Sequence, residues 1–289
     1  MSKPEKPVAP GGLHASEVDR LSAALSPHGP SACTGRMISV CDTEGQLLMA
    51  PFNITADGVA QVGAPLIHPR CQSLEPAAIV RATEGMFCLG AETALATAAP
   101  GAPLGRHLLH AGWQEGPLML EFARRAPARL CKAHGEYIPF TDEKRSLFAE
   151  TFYRTLEGSL DAPDMPVCRD PDRLMRSFEE RGAFGQEDFA VLAVDGEPAG
   201  LVMAADVRGT LEILYLGVVP ECRGRGHGGT LLERALERAC ARGQVEICAF
   251  VDERNSPAQG IYRRRGFREK RAVQVYIAAA ENFPKRLSH

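Results

Sequence analysis

The chain has 289 residues, 45% of them hydrophobic and 24% charged, with a formal net charge of −3 at pH 7. These proportions describe an ordinary globular protein, long enough for two domains and a large core. The near-neutral charge gives no reason to expect nucleic acid as the main partner, and no apolar run approaches the roughly 18 residues of a membrane helix. Nine cysteines, an odd number with no Cys-x-x-Cys pair, read as reduced thiols in a cytoplasm rather than a disulfide framework. The N-terminal Met1-Ser-Lys-Pro-Glu-Lys-Pro lacks an apolar signal core. Eight histidines show no ligand spacing, so no metal is expected.

In chain order, residues 1–12 are rich in Pro, Lys and Gly and are expected to be disordered. A helix is expected near Glu17 to Leu25, then strands around Gly35–Cys41, Gln46–Phe52 and Val59–Ile67. An Arg- and Ala-rich passage, Ala123–Ala133, suggests a first domain over 13–125, a linker over 126–137 and a second domain over 138–289. In the second, the run Leu211–Val219 reads as a strand whose alternation sets Glu212, Leu214, Leu216 and Val218 on one face. Gly217 interrupts it, as a bulge or a close backbone approach would. The helix Gly229–Arg242 carries the stripe Leu231, Leu232, Ala235, Leu236, Ala239 and Cys240, with Gly243 as its stop and Arg238 and Arg242 near its negative end. A strand over Val245–Val251 follows, then a helix with Ser256 as cap and Pro257 in its first turn, on which Ala258, Ile261 and Tyr262 share a face.

The loop Arg223-Gly-Arg-Gly-His-Gly-Gly-Thr230, between strand and helix, is a phosphate cradle: glycines let successive N–H groups turn toward one anion at the positive end of the helix. A diphosphate is its natural occupant. A nucleoside-triphosphate loop is excluded, because Gly224-x4-Gly229 runs into Thr230 without the required lysine. Gly224-x-Gly226-x-x-Gly229 matches the dinucleotide fingerprint literally, but only 60 residues follow it and Asp252 comes later than the expected acid. That alternative is weak on the loop alone and remains open.

A second block, Asn255-Ser-Pro-Ala258-x-x-Ile-Tyr262-x-x-x-Gly266-Phe267, joins the pattern Arg223-x-x-Gly226-x-Gly228. Together, over roughly residues 140–280, they resemble the GNAT superfamily of acyl-CoA-dependent N-acyltransferases. The resemblance implies an α/β fold (α+β, mixed sheet) with acetyl-CoA as donor and an amine as acceptor. It places pantetheine- and carbonyl-binding amides at Leu216, Gly217 and Val218, and the diphosphate on Arg223, Gly224, Arg225, Gly226, His227, Gly228, Gly229 and Thr230. Asn255 falls at a cofactor-contacting position, and Tyr262 at that of the general acid toward the thiolate. A lysine-like ammonium has a pKa of about 10.4, so freeing the amine at pH 7 costs about 4.6 kcal/mol and some group must take the proton. Glu212, eleven residues before Arg223, stands where several GNAT branches keep a glutamate and is the candidate base; an outward-facing strand glutamate is the plain alternative.

Other readings are weaker. His227 presents only its backbone, and Cys222 as an acyl carrier does not suit direct transfer. The cluster Arg263, Arg264, Arg265, Arg268, Lys270 and Arg271 is a solvated face with a possible share in the 3′-phosphate of CoA. Glu157-Gly-Ser-Leu-Asp161 lies where GNAT folds place acceptor-lining helices, and the resemblance implies that its acids would favour a cationic amine; a polar turn is the default. Finally, Leu66-Ile-His-Pro69 and Ala111-Gly-Trp113 mirror Gly217-Val-Val-Pro220 and Arg265-Gly-Phe267 at offsets of 151 and 154 residues. The first half thus reads as an eroded GNAT-like repeat without a cradle, Arg70–Pro76 replacing it; an unrelated α/β domain is the alternative. A monomer or homodimer is expected, and an inactive acyl-CoA-binding sensor is the rival to an enzyme.

Overall fold

The computed structural model describes residues 36–41, 47–63, 66–67, 76–129 and 133–283. The helix expected near Glu17, the N-terminal tail and most of the Arg70–Pro76 loop lie outside them. The first half builds β1 (Arg36–Cys41), β2 (Leu47–Ile54), β3 (Val59–Val62), β4 (Leu66–Ile67), α1 (Pro76–Cys88), β5 (Thr93–Ala98), α2 (Pro103–His110) and β6 (Gln114–Arg125). The second builds β7 (Glu136–Pro139), α3 (Arg145–Leu156), α4 (Pro171–Glu179), β8 (Phe189–Val194), β9 (Glu197–Val207) and β10 (Thr210–Val218). It closes with α5 (His227–Ala241), β11 (Glu246–Asp252), α6 (Ser256–Arg264) and β12 (Arg268–Ala279). The strand expected over Val59–Ile67 is thus two, broken after Val62.

The twelve strands of the described residues join one mixed sheet in the order β1-β2-β3-β5-β12-β6-β11-β10-β9-β8-β7, with β4 on β2. The series β1-β2-β3-α1-β5-α2-β6 recurs as β8-β9-β10-α5-β11-α6-β12. Strands β6 and β12 each start and end 154 residues apart, Gln114 to Arg268 and Arg125 to Ala279. β3 pairs parallel with β5 just as β10 pairs parallel with β11. The last strand of each series has crossed over: β6 lies antiparallel against β11, and β12 against β5. Strand β7 begins at Glu136, inside the 126–137 passage expected as a linker, and β6, from the first half of the sequence, sits between β12 and β11.

The packing follows the exchange. One core holds Phe52, Ile79, Met86 and Trp113 with Tyr276 and Ala278 of β12. Another, between the sheet and α5 and α6, holds Leu211, Ile213, Leu231 and Leu232 with Leu120 and Phe122 of β6. A third lies beneath α3 and α4, around Phe148, Phe152, Met175 and Leu201. Burying such side chains yields about 1.5–3 kcal/mol each, so neither half completes its own core without the other's strand.

Helix α5 buries the expected Leu231, Leu232, Ala235, Leu236 and Ala239, whereas Cys240 is only half-buried. Gly243 takes φ +67° and ends the helix as expected. Arg238 and Arg242 do more than face the helix dipole. Both bind the fully buried Asp188, at 2.8 and 2.6 Å, and the Gly185 amide donates to the same carboxylate at 2.6 Å. No helix among the described residues is long and apolar enough to cross a membrane.

Asp188→Ala is expected to destabilise the protein by about 3 kcal/mol, since it leaves two clustered guanidinium groups without their anion; the urea midpoint reads this. A fragment starting at residue 133 lacks β6 and is expected to lose cooperative unfolding, which circular dichroism against urea would reveal; a sharp, full-amplitude transition would refute the exchange.

Candidate functional site

Strands β10 and β11 are hydrogen-bonded only from Thr210↔Glu246 to Ile213↔Ala249. Beyond that point β10 keeps its partner β9 to Val218↔Gly200, while β11 turns away, so the β11-facing edge of β10 opens into a cleft. The register slips between Ile213 and Tyr215. This bulge sits at Leu214, not at Gly217, and it reverses the face: Leu216 and Val218 pack toward α5, but Leu214 and Tyr215 pack toward α3 and α4. Glu212 and Leu216 therefore do not share the face that alternation predicted. Gly217 meets the second reading of its glycine, close approach, because a Cβ there would lie 2.7 Å from Thr155 Oγ1 and 2.8 Å from the Tyr215 ring.

The cleft has a volume of about 760 Å³, and its walls include Leu216, Gly217, Val218, Arg223, Gly224, Gly226, His227, Gly228, Gly229 and Asn255. Of the residues expected to hold the cofactor, Arg225 and Thr230 do not line it, and Tyr262 lines a smaller cavity of about 50 Å³ that continues it. Gly224 and Gly226 take φ of +75° and +90°, the left-handed turn that lets the loop enter α5. Among the described residues, the amides of Gly224, Arg225, Gly226, His227 and Gly228 donate to no protein acceptor. No acid occupies the first turn of α5. Five donors without a protein acceptor at a helix start form a backbone site suited to an anion.

The side chains around the cradle divide their work. Arg223 spends its guanidinium on the carbonyls of Thr155, Gly158 and Val218, at 2.9, 3.2 and 3.1 Å, and so clamps the end of α3 to β10. Within the basic cluster, Arg263, Arg265, Lys270 and Arg271 pair with Glu269, Glu233, Glu246 and Glu121. Arg264 lines the cleft with no ion pair among the described residues. Asn255, not Ser256, caps α6: its Oδ1 accepts from the Ala258 amide at 3.2 Å. An asparagine at the cap satisfies an N–H that a serine one residue later cannot reach.

Tyr262 is buried, stacked on Phe122 of β6 at 5.9 Å between centroids and edge-on to Phe267 at 5.2 Å. Burial raises its phenol well above the usual range, and the charge of Asp161 adds to that. Tyr215 donates to or accepts from Thr155 Oγ1 at 2.7 Å, and burial pushes its phenol up to about 12. Glu212 lines neither cavity. Its carboxylate meets Arg181 at 3.2 Å, and burial raises its pKa against the opposing pull of that arginine.

Sequence reasoning gave no role to Tyr215 or Thr155, whose contact depends on the bulge. It treated Asp161 as a turn residue by default, with a cationic acceptor as the alternative; the side chain lines both cavities. The acids in Glu157–Asp161 were the only available signal.

Residues 152–267 match the model of the Acetyltransferase (GNAT) family. That segment holds β10, the cradle, β11 and the Tyr262 helix, so the match falls on the site itself. A GCN5-related N-acetyltransferase from Sphaerobacter thermophilus aligns in structure over 94% of this chain and 87% of its own, with a TM-score of 0.57 at 19% identity. A tandem GNAT protein from the clavulanic acid biosynthesis pathway aligns over 83% of this chain and 80% of its own, with a TM-score of 0.52 at 17% identity. At such identities the likeness is in the fold, and the fold is the GNAT fold. In sequence, a mycothiol acetyltransferase of Clavibacter sepedonicus is 33% identical over 123 residues, 37% of this chain and 40% of that protein. The chain thus matches about 40% of the length of the curated relative.

Gly226→Val is expected to cost about 1–3 kcal/mol of loop strain, because valine resists a φ of +90°, and to lower the melting temperature accordingly. Calorimetry on the variant checks this.

Proposed function

We propose that this protein is an N-acetyltransferase that moves the acetyl group of acetyl-CoA directly to a primary amine. The observation that carries the reading is the run of free amides from Gly224 to Gly228 at the mouth of a cleft whose inner end is closed by Tyr262. The family match over 152–267 supports the same reading, as does the name of the mycothiol acetyltransferase relative.

In this mechanism the cradle holds the diphosphate, and Arg264 is the cation available to the 3′-phosphate. Acetyl-CoA supplies an activated carbonyl, which the edge amides of β10 around Leu216, Gly217 and Val218 orient. As the amine attacks, those amides take up the oxyanion charge, an effect worth about 3 kcal/mol per donor in comparable sites. Tyr262, kept protonated by burial, gives its proton to the departing thiolate. Glu212 takes the amine proton through a water, since its carboxylate stands back from the cleft.

We further read the first half as a degenerate GNAT unit over 13–125, joined by 126–137 to the catalytic unit over 138–289. The recurrence of β1-β2-β3-α1-β5-α2-β6 and the tandem GNAT structure support this. Its contribution is structural: it lends β6, and with it Phe122 beneath Tyr262.

Calorimetry with acetyl-CoA and thiol release with a panel of amines test the proposal; binding without release would mean a sensor, and stabilisation by NAD but not CoA a dinucleotide enzyme. Tyr262→Phe is expected to lower turnover by about 10²–10⁴ with little change in acetyl-CoA affinity. For Glu212→Gln the base is lost and the free amine must come from solution, so the activity optimum should move to higher pH. An unaltered pH profile would remove Glu212 from the mechanism.

A further inference from the structure

Asp161 is the one charged residue among the described walls of the inner cavity. The rest of that wall is apolar, from Ile213, Leu214, Phe250 and Val251, apart from Asn255 and the two tyrosines. The carboxylate is held in place from behind. Its Oδ1 accepts from the Asp252 amide at 2.9 Å and lies 3.5 Å from Asn255 Nδ2, while the Ala162 amide returns a bond to Asp252 Oδ2 at 3.1 Å. This reciprocal pair ties the turn after α3 to the end of β11. Oδ2 of Asp161 has no hydrogen-bond partner among the described residues.

Among the described residues no arginine forms an ion pair with it. Arg254 is taken by Asp252 and Asp164, and Arg223 by three carbonyls. An unmatched carboxylate facing an apolar cavity is costly, and a cation bound there removes the cost. The carboxylate shares this cavity with both phenols, Tyr215 and Tyr262.

We infer that Asp161 is the docking group for the acceptor: its free oxygen binds the ammonium of the incoming amine at the inner end of the cleft, and so selects primary amines that are cationic at neutral pH. This rests on the acetyl-transfer reading above. Glu212, outside the cavity, cannot serve that purpose; the two carboxylates divide recognition from proton removal.

The test compares n-butylamine, cationic at neutral pH, with hydroxylamine, which is uncharged there, as acceptors of acetyl from acetyl-CoA, followed by thiol release. Asp161→Asn can keep the oxygen that accepts from the Asp252 amide while replacing the free, charged oxygen with an uncharged N–H donor. The ratio of kcat/KM for n-butylamine over hydroxylamine should fall by about ten- to a hundredfold, the size of one charge-assisted contact, mainly through KM. Asp161→Glu should recover part of that ratio. An equal loss for both acceptors, or a ratio that does not move, overturns the inference, as does a parent protein that uses hydroxylamine but not n-butylamine. If Asp161→Asn does not fold, Asp161→Ser, which also keeps an acceptor oxygen, is read in the same way. Absence of thiol release with either acceptor in the parent overturns the acetyl-transfer reading itself, and with it this one.

Discussion

The antiparallel ladder between β6 and β11, unbroken from Glu246↔Arg125 to Asp252↔Met119, is the contact on which the remainder of the molecule depends. It fills one edge of β11 along its length, so β11 holds its line while β10, anchored on its other side by β9, diverges after Ile213. The cleft is the space that this divergence leaves. The same ladder brings Phe122 beneath Tyr262, and Arg124 donates to the Arg265 carbonyl at the end of the helix that carries Tyr262. A strand from one half of the sequence thereby forms the floor of the site in the other.

Around this floor, polar groups are held by short local devices. Asn255 caps α6, Arg223 fastens α3 to β10, and Asp161 and Asp252 exchange backbone bonds between two loops. Each satisfies donors or acceptors that water would otherwise occupy, whereas the five cradle amides and the β11-facing edge of β10 beyond Ile213 have no protein partner among the described residues.

Legibility in the sequence followed the range of the interactions. The cradle, α5 with its stripe and its Gly243 stop, and the strands β10 and β11 rest on periodicity and glycine chemistry within about fifteen residues, and all could be read directly. Offsets of 151 and 154 residues gave the recurrence of elements, yet not the crossing of β6 and β12, because no local signal states which strand edge a distant segment will choose. The bulge was expected at Gly217 and lies at Leu214. Glycine is the visible mark of an irregular strand, but here it answers to the crowding of Thr155 and Tyr215 instead. That displacement turned Glu212 away from the face assigned to it, and it hid the Tyr215–Thr155 contact. Asp161 was one of two acids in a stretch read by default as a polar turn, and only its bond to the β11 amide of Asp252 singles it out.

The crossed strands also govern the order in which the polypeptide can mature. During synthesis β5, which ends at Ala98, emerges well before β12, which starts at Arg268 and belongs beside it. Until β12 leaves the ribosome, β5 and the Trp113 core keep an open flank, a sticky edge that the nascent chain must carry in the meantime.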